Sequence, residues 1–207
     1  MSRSHPGCFV VLEGADGSGK STQAAMLSKR LTEAGKDVVL TREPGGTGPG
    51  EMIRTMVLHS GTLDPRTEAL LIAADRAEHT ARVIRPALAR GAVVVSDRHT
   101  PSSLAYQGVA RGLGVDEIAR LSEWATGGLS PDVVVVVDVP ADVALARRGV
   151  PADRFEAEGD AFARVVGRAY RDLAAGYGWT VVDGSRPPDA VADEIWARVA
   201  PVAGAPA

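Results

Sequence analysis

Eight residues near the start of the chain, Gly14-Ala15-Asp16-Gly17-Ser18-Gly19-Lys20-Ser21, fit the pattern G-x-x-x-x-G-K-[ST] at every fixed position. The chemistry such a run performs is phosphate binding. Glycines let successive backbone N–H groups converge on phosphate oxygens, and a helix beginning at the end of the run adds a favourable dipole. Lys20 is the residue to neutralise the β- and γ-phosphates, and the Ser21 hydroxyl is the Mg²⁺ ligand. Gly14, Ala15, Asp16, Gly17, Ser18, Gly19, Lys20, Ser21 and the following Thr22 therefore make the candidate site for a nucleoside triphosphate. Asp97 closes a valine-rich run and is the carboxylate best placed to hold a water of the metal's shell.

A second set of charged residues needs a second ligand. Arg42 and Arg98 each follow a predicted strand, and ligands of open α/β sheets bind beyond the carboxyl ends of strands. Two guanidinium forks there suit a dianionic phosphate held bidentately. Ile72 and Arg76 stand one helical turn apart and so share a helix face. Arg147, Arg148 and Arg154 fall in a Gly/Pro-punctuated segment at about 147–158, the composition of a short lid. Phosphoryl transfer needs in-line positioning and positive charge at the migrating group, which closing arginines supply.

The elements that must position these residues follow from periodicity. Strands are predicted at Cys8–Glu13, Asp37–Thr41, Ala92–Ser96, Asp132–Val137 and Trp179–Val182, three of them nearly all valine, as befits a parallel sheet buried on both faces. Helices are predicted near 20–34, 50–59, 65–90, 115–127, 140–147, 159–175 and 187–199, the third opening on Asp64-Pro65. The alternation implies a doubly wound, five-stranded parallel α/β fold, in a single domain over residues 1–207 with a frayed tail at about 201–207.

Composition closes off several classes. With 207 residues and a net charge of −3, the chain lacks the basic footprint of a nucleic-acid binder. No apolar run approaches the ~20 residues of a membrane span, and the five apolar residues before Glu13 are too few for a signal core. One cysteine, Cys8, rules out an intrachain disulfide, so the expected location is cytoplasmic. The four histidines, His5, His59, His79 and His99, show no metal-ligand spacing.

Three further segments carry a more specific signal: Thr41-Arg42-Glu43-Pro44-Gly45-Gly46-Thr47, then Leu70 to His79, then Asp97-Arg98-His99-Thr100-Pro101-Ser102-Ser103-Leu104-Ala105-Tyr106-Gln107-Gly108. Together with the phosphate loop and Asp153-Arg154-Phe155-Glu156, they resemble the thymidylate kinase family in order and spacing from about residue 9 onward. The resemblance implies a P-loop kinase fold, Mg-ATP as donor, dTMP as acceptor, dTDP and ADP as products on the way to dTTP, and a homodimer. It also implies acceptor contacts by Asp16 (3′-hydroxyl), Arg42 and Arg98 (phosphate), Arg76 (thymine carbonyl) and Tyr106 (the sugar's 2′ position). Leu58, Ser102, Ser103 and Gln107 complete the implied acceptor lining, and Lys20, Arg98, Arg147, Arg148 and Arg154 the implied catalytic set. Where the family has a phenylalanine stacked on the base, this chain has Ile72; where one branch has a catalytic arginine after the loop aspartate, it has Gly17, the pattern that draws the arginine from the lid. Two other readings stay open on the sequence: a kinase for another pyrimidine deoxynucleotide, and a nucleotide switch without phosphotransfer. The Asp183-Gly184-Ser185-Arg186 turn is expected near the adenine.

Overall fold

The computed structural model describes residues 5–148 and 153–206. Five strands, β1 (Cys8–Glu13), β2 (Val38–Arg42), β3 (Val93–Asp97), β4 (Val133–Asp138) and β5 (Thr180–Asp183), form one parallel sheet in the order β2-β3-β1-β4-β5. Four of them lie one residue later than expected, and the shift matters because it puts Arg42 and Asp97 inside strands, directly paired across β2 and β3. The chain winds first to one side of β1 and then to the other, which opens a crevice at the carboxyl end of β1.

β1 is buried throughout because its alternate residues serve two cores. Cys8, Val10 and Leu12 pack under α1 (Lys20–Glu33) and α9 (Pro188–Ala203), whereas Phe9 and Val11 meet Ile84, Ala87 and Leu88 on the opposite face. Each such fully buried valine or leucine contributes about 1.5–3 kcal/mol, so β1 anchors the loop that follows it. α2 (Gly48–His59) starts at a Thr47 cap whose side chain accepts from the Gly50 N–H, with Pro49 in its first turn. α3 (Pro65–His79) is capped by Asp64 in the same way.

Three expectations need correction. The helix expected over 65–90 is helical throughout but passes through a π-helical turn at Thr80–Ile84 before α4 (Arg85–Ala89). Pro86 lacks an N–H and would clash with the preceding turn, and the wider turn accommodates it. No helix is expected between Asp97 and residue 115, yet α5 (Thr100–Ser103) runs into a π-helical stretch, Leu104–Ala110, whose Leu104 to Gly108 are buried. Ser102, Ser103, Tyr106 and Gln107 face the cleft while Leu104 and Ala105 enter the core, so polar and apolar inward residues mix and no apolar period announces the helix. The tail expected to fray from about 201 is helical to Ala203 and capped at Gly204, with Val202 and Ala203 packed on the sheet's core, burial that outweighs the helix-breaking tendency of Pro201. The remaining helices are α6 (Val115–Thr126), α7 (Ala141–Arg148) and α8 (Asp160–Tyr177), with a short 3₁₀ turn at Glu156–Glu158.

Candidate active site

The phosphate loop leaves β1 and enters α1 at Lys20. Gly14 takes φ 143°, and a Cβ there would fall 2.4 Å from the Val137 carbonyl oxygen, so only glycine fits between the loop and β4. Lys20 is buried, with Nζ 3.3 Å from Asp16 Oδ1 and 3.5 Å from the Ala15 carbonyl oxygen. The Ser21 hydroxyl donates to Asp97 Oδ2 at 2.5 Å, and Asp97 Oδ1 is buried without a hydrogen-bond partner. Two hard oxygen donors, one with an unused carboxylate oxygen, form a donor set suited to Mg²⁺.

Arg98 joins this loop to a second cleft. It has φ 74°, a left-handed conformation that costs a non-glycine residue on the order of 1 kcal/mol and persists only where the surroundings dictate it. The surroundings do: the Arg98 N–H donates to the Leu12 carbonyl, and the Ser96 hydroxyl donates to the Arg98 carbonyl. Its guanidinium then donates to Asp16 Oδ1 (2.5 Å), Ser102 Oγ (3.0 Å), Tyr170 Oη (3.1 Å) and the Gly14 carbonyl (3.2 Å). Burial opposes the Asp16 charge, but Arg98 and then Lys20 outweigh it and hold this carboxyl well below the usual carboxylate range. Tyr106 donates its hydroxyl to Asp16 Oδ2 at 3.0 Å. Behind Arg98, Ser102 and Tyr170 both donate to Glu13 Oε2, at 2.6 and 2.9 Å, while the His99 and Ser102 N–H groups donate to Glu13 Oε1. Burial pushes the Glu13 carboxyl up despite these donors.

The cleft beyond Arg98 is open to solvent and holds a cavity of about 100 Å³. Asp16, Arg98, Ser102 and Tyr106 line one end; Leu58, Ile72, Arg76, Ser103 and Gln107 line the rest, so nine of the ten expected acceptor residues come together. Ile72 and Arg76 share the helix face as expected. Arg76 is nonetheless already engaged, donating through Nε to Glu43 Oε2 (2.8 Å) and through Nη1 to Ser122 Oγ (3.1 Å). His79 bonds Glu43 Oε1 on one side and Thr41 Oγ1 on the other. Burial opposes the Glu43 charge, but His99, Arg76 and His79 hold its carboxyl at about 2. Nearby Asp75 is buried, accepts from the Gly45 N–H, and is pushed up to about 7 by burial and by the Glu43 charge. Burial also drives His99 down to about 4, leaving its ring neutral at neutral pH.

The exception among the ten is Arg42. It lies outside the cleft, half-exposed, paired with Glu51 at 3.0 Å beside Ser21 and Asp97. The cleft arginine that the sequence reading missed is Arg54, one turn before Leu58 on the same face of α2 and donating to the Pro44 carbonyl. That spacing was the available signal. Glu43, Pro44, His99, Asp153 and Phe155 also line the cleft without having been singled out for it. Ser102, expected at a base, instead serves the Arg98 network.

The expected lid arginines divide. Arg147 belongs to α7 and donates to the Gly184 carbonyl (3.0 Å), beside a pocket of about 260 Å³ lined by Ser18, Gly19, Thr22 and Arg186. Gly184 and Arg186 of the Asp183–Arg186 turn line that pocket. Arg154, expected over the migrating phosphate, is tied to the acceptor wall: Nε donates to the Val57 carbonyl (3.0 Å), Nη2 to Glu68 Oε2 (2.8 Å), and its backbone N–H to the Leu58 carbonyl (3.0 Å). Glu68 can hold it because the carboxylate is fully buried and also receives Gln107 and Arg111. The Arg148 side chain and residues 149–152 lie outside the described residues.

A parallel sheet with a phosphate loop at its switch point, joined through one arginine to a second polar cleft, defines a P-loop phosphotransferase with separate donor and acceptor sites. The sequence comparisons narrow the class. The thymidylate kinase family model matches residues 12–195. A thymidylate kinase of Leifsonia xyli subsp. xyli is 51% identical over 199 residues, covering 94% of this chain and 95% of its own. Those of Clavibacter sepedonicus (50% over 200 residues, 93% and 94% covered) and Thermomicrobium roseum (48% over 200, 94% and 95%) are similar at nearly the same level. The chain belongs to the thymidylate kinase family.

Proposed function

We propose that the protein transfers the γ-phosphoryl group of ATP to dTMP, giving dTDP and ADP. The observation that carries this reading is the junction between the two sites. Asp16, a member of the phosphate loop, is bonded at once to Lys20, Arg98 and Tyr106, so the loop and the acceptor cleft share one wall. In this reading Lys20 and the loop N–H groups hold the donor phosphates, and Arg98 with Arg54 holds the acceptor phosphate. The acceptor oxygen is already ionised near neutral pH, so positioning and charge compensation suffice without a general base. Ser21 and Asp97 would hold Mg²⁺, which when bound neutralises charge on the transferring phosphate. The adenine would rest between Thr22 and Arg186. The complete loop and the Arg98 network, both suited to catalysis, favour transfer over a bare nucleotide switch.

ADP release at fixed ATP, measured with dTMP, dUMP, dCMP and dGMP in turn, tests the assignment. dTMP should give the highest kcat/KM; release that ignores the acceptor would overturn the proposal.

Assembly and location complete the reading. Leu70 on α3 and Trp124 on α6 are 59% and 82% exposed, and the two helices pack side by side. A second copy covering this apolar face would make the expected homodimer. Sedimentation should then return twice the chain mass of 21.5 kDa. Among the described residues no helix is long and apolar enough to cross a membrane, and we assign the enzyme to the cytoplasm.

A further inference from the structure

The α2 and α3 walls of the acceptor cleft offer a planar base only aliphatic surface, Leu58 and Ile72. Besides the deeply buried His99, two aromatic rings line the cleft. Tyr106 has its hydroxyl committed to Asp16 at the phosphate-loop end. The other ring is Phe155, from the segment expected to form the lid. It is half-buried, packs against the Val57–Leu58–Ile72 cluster, and meets Tyr106 edge-on with centroids 5.5 Å apart and planes at 84°. We propose that Phe155 is the aromatic contact for the acceptor's nucleobase, closing with Leu58 and Ile72 an apolar clamp whose two sides come from distant parts of the chain.

Three observations support a built contact over incidental packing. First, the backbone is pinned next door, since the Arg154 N–H donates to the Leu58 carbonyl and the Arg154 side chain to the Val57 carbonyl and Glu68. Second, the ring is framed by cations, with the Arg154 guanidinium carbon 4.7 Å and that of Arg111 5.7 Å from its centroid, and Arg111 is itself anchored on Glu68 and Glu158. Third, the ring touches the cluster containing Ile72, which stands one turn from Arg76 on the cleft-facing side of α3. A base stacked or edged against an aromatic side chain gains affinity that aliphatic carbon does not supply.

The inference rests on the dTMP reading, and the test separates the two. Dissociation constants for dTMP and for 2-deoxyribose 5-phosphate, which keeps the sugar and phosphate but lacks the base, are compared in the wild type, Phe155→Leu and Phe155→Ala. The ratio of the two constants measures what the base contributes. That ratio should shrink about tenfold in Phe155→Ala and about threefold in Phe155→Leu, with ATP affinity within twofold of wild type. An unchanged ratio in Phe155→Leu, or equal weakening of both ligands, overturns the role of Phe155. If Phe155→Ala also loses ATP binding, its fold has failed and the leucine variant decides. A wild type that does not bind dTMP at all refutes the proposed function instead.

Discussion

The donor loop and the acceptor cleft meet at Asp16 but are built in opposite ways. The donor site is local: residues 14–22 are consecutive, and their shape is set by one strand end, one helix start and glycines such as Gly14. The acceptor cleft is assembled from α2, α3, the end of β3, the π-helical segment and the turn at Asp153–Phe155, with charges crossing between them through Glu13, Glu43 and Glu68. Backbone geometry makes the first site and buried side-chain networks make the second. Damage should therefore differ in kind: donor-site changes remove chemistry, while acceptor-site changes alter KM, specificity and pH behaviour.

The largest expected effect is on the donor side. Lys20→Ala should lower kcat by about 10³-fold or more with the fold retained, because positive charge at the phosphates is lost while the loop's backbone survives. Circular dichroism together with initial rates checks this, and a kcat near wild type would break the donor assignment. Arg98→Ala comes next. Expected are a raised KM for dTMP and a lowered kcat, about 10²-fold together in kcat/KM, with a far smaller change in ATP binding. Equal losses for both nucleotides would erase the distinction between the two sites.

Tyr170→Phe sharpens the comparison, since Tyr170 acts through Arg98. Removing its hydroxyl takes one acceptor from the guanidinium and one donor from Glu13, and should cost about tenfold in kcat/KM for dTMP. The ATP dissociation constant should stay unchanged.

The smallest effect is on stability and belongs to the acceptor side. Asp75, packed near Glu43, His79 and Arg76, has a folded-state pKa of about 7 against an ordinary 3.8. The folded state thus favours the protonated carboxyl, a stabilisation complete below pH 3.8 and lost as pH rises through 7. Asp75→Asn cannot ionise and keeps an acceptor for the Gly45 N–H, so it should be more stable than wild type at pH 8 by a few kcal/mol, and equal to it at about pH 3, where Asp75 is protonated in both states. Thermal melts at the two pH values decide, and parallel curves would contradict the assignment.

The same contrast explains what the sequence disclosed. The loop was legible because its function is written in consecutive residues, and the valine strands because burial on both faces leaves no polar alternation. Arg98, Tyr106 and Ile72 were legible through family resemblance and helical spacing. The helix at 100–110 was hidden because residues facing a polar site break the apolar period. The restraint of Arg154 by Glu68 could not be read at all, since the two are 86 positions apart and only tertiary packing joins them. Arg42 went astray for a similar reason: strand-end placement was right, but Glu51 from α2 draws the side chain away from the cleft.

The most direct test of two sites sharing one wall is the fate of the γ-phosphoryl group itself. With γ-labelled ATP, Mg²⁺ and dTMP, label should appear in dTDP in step with ADP, with little in inorganic phosphate. Label accumulating in inorganic phosphate at the same rate with and without dTMP would show that the cleft beyond Arg98 receives no phosphoryl group, and would contradict the account.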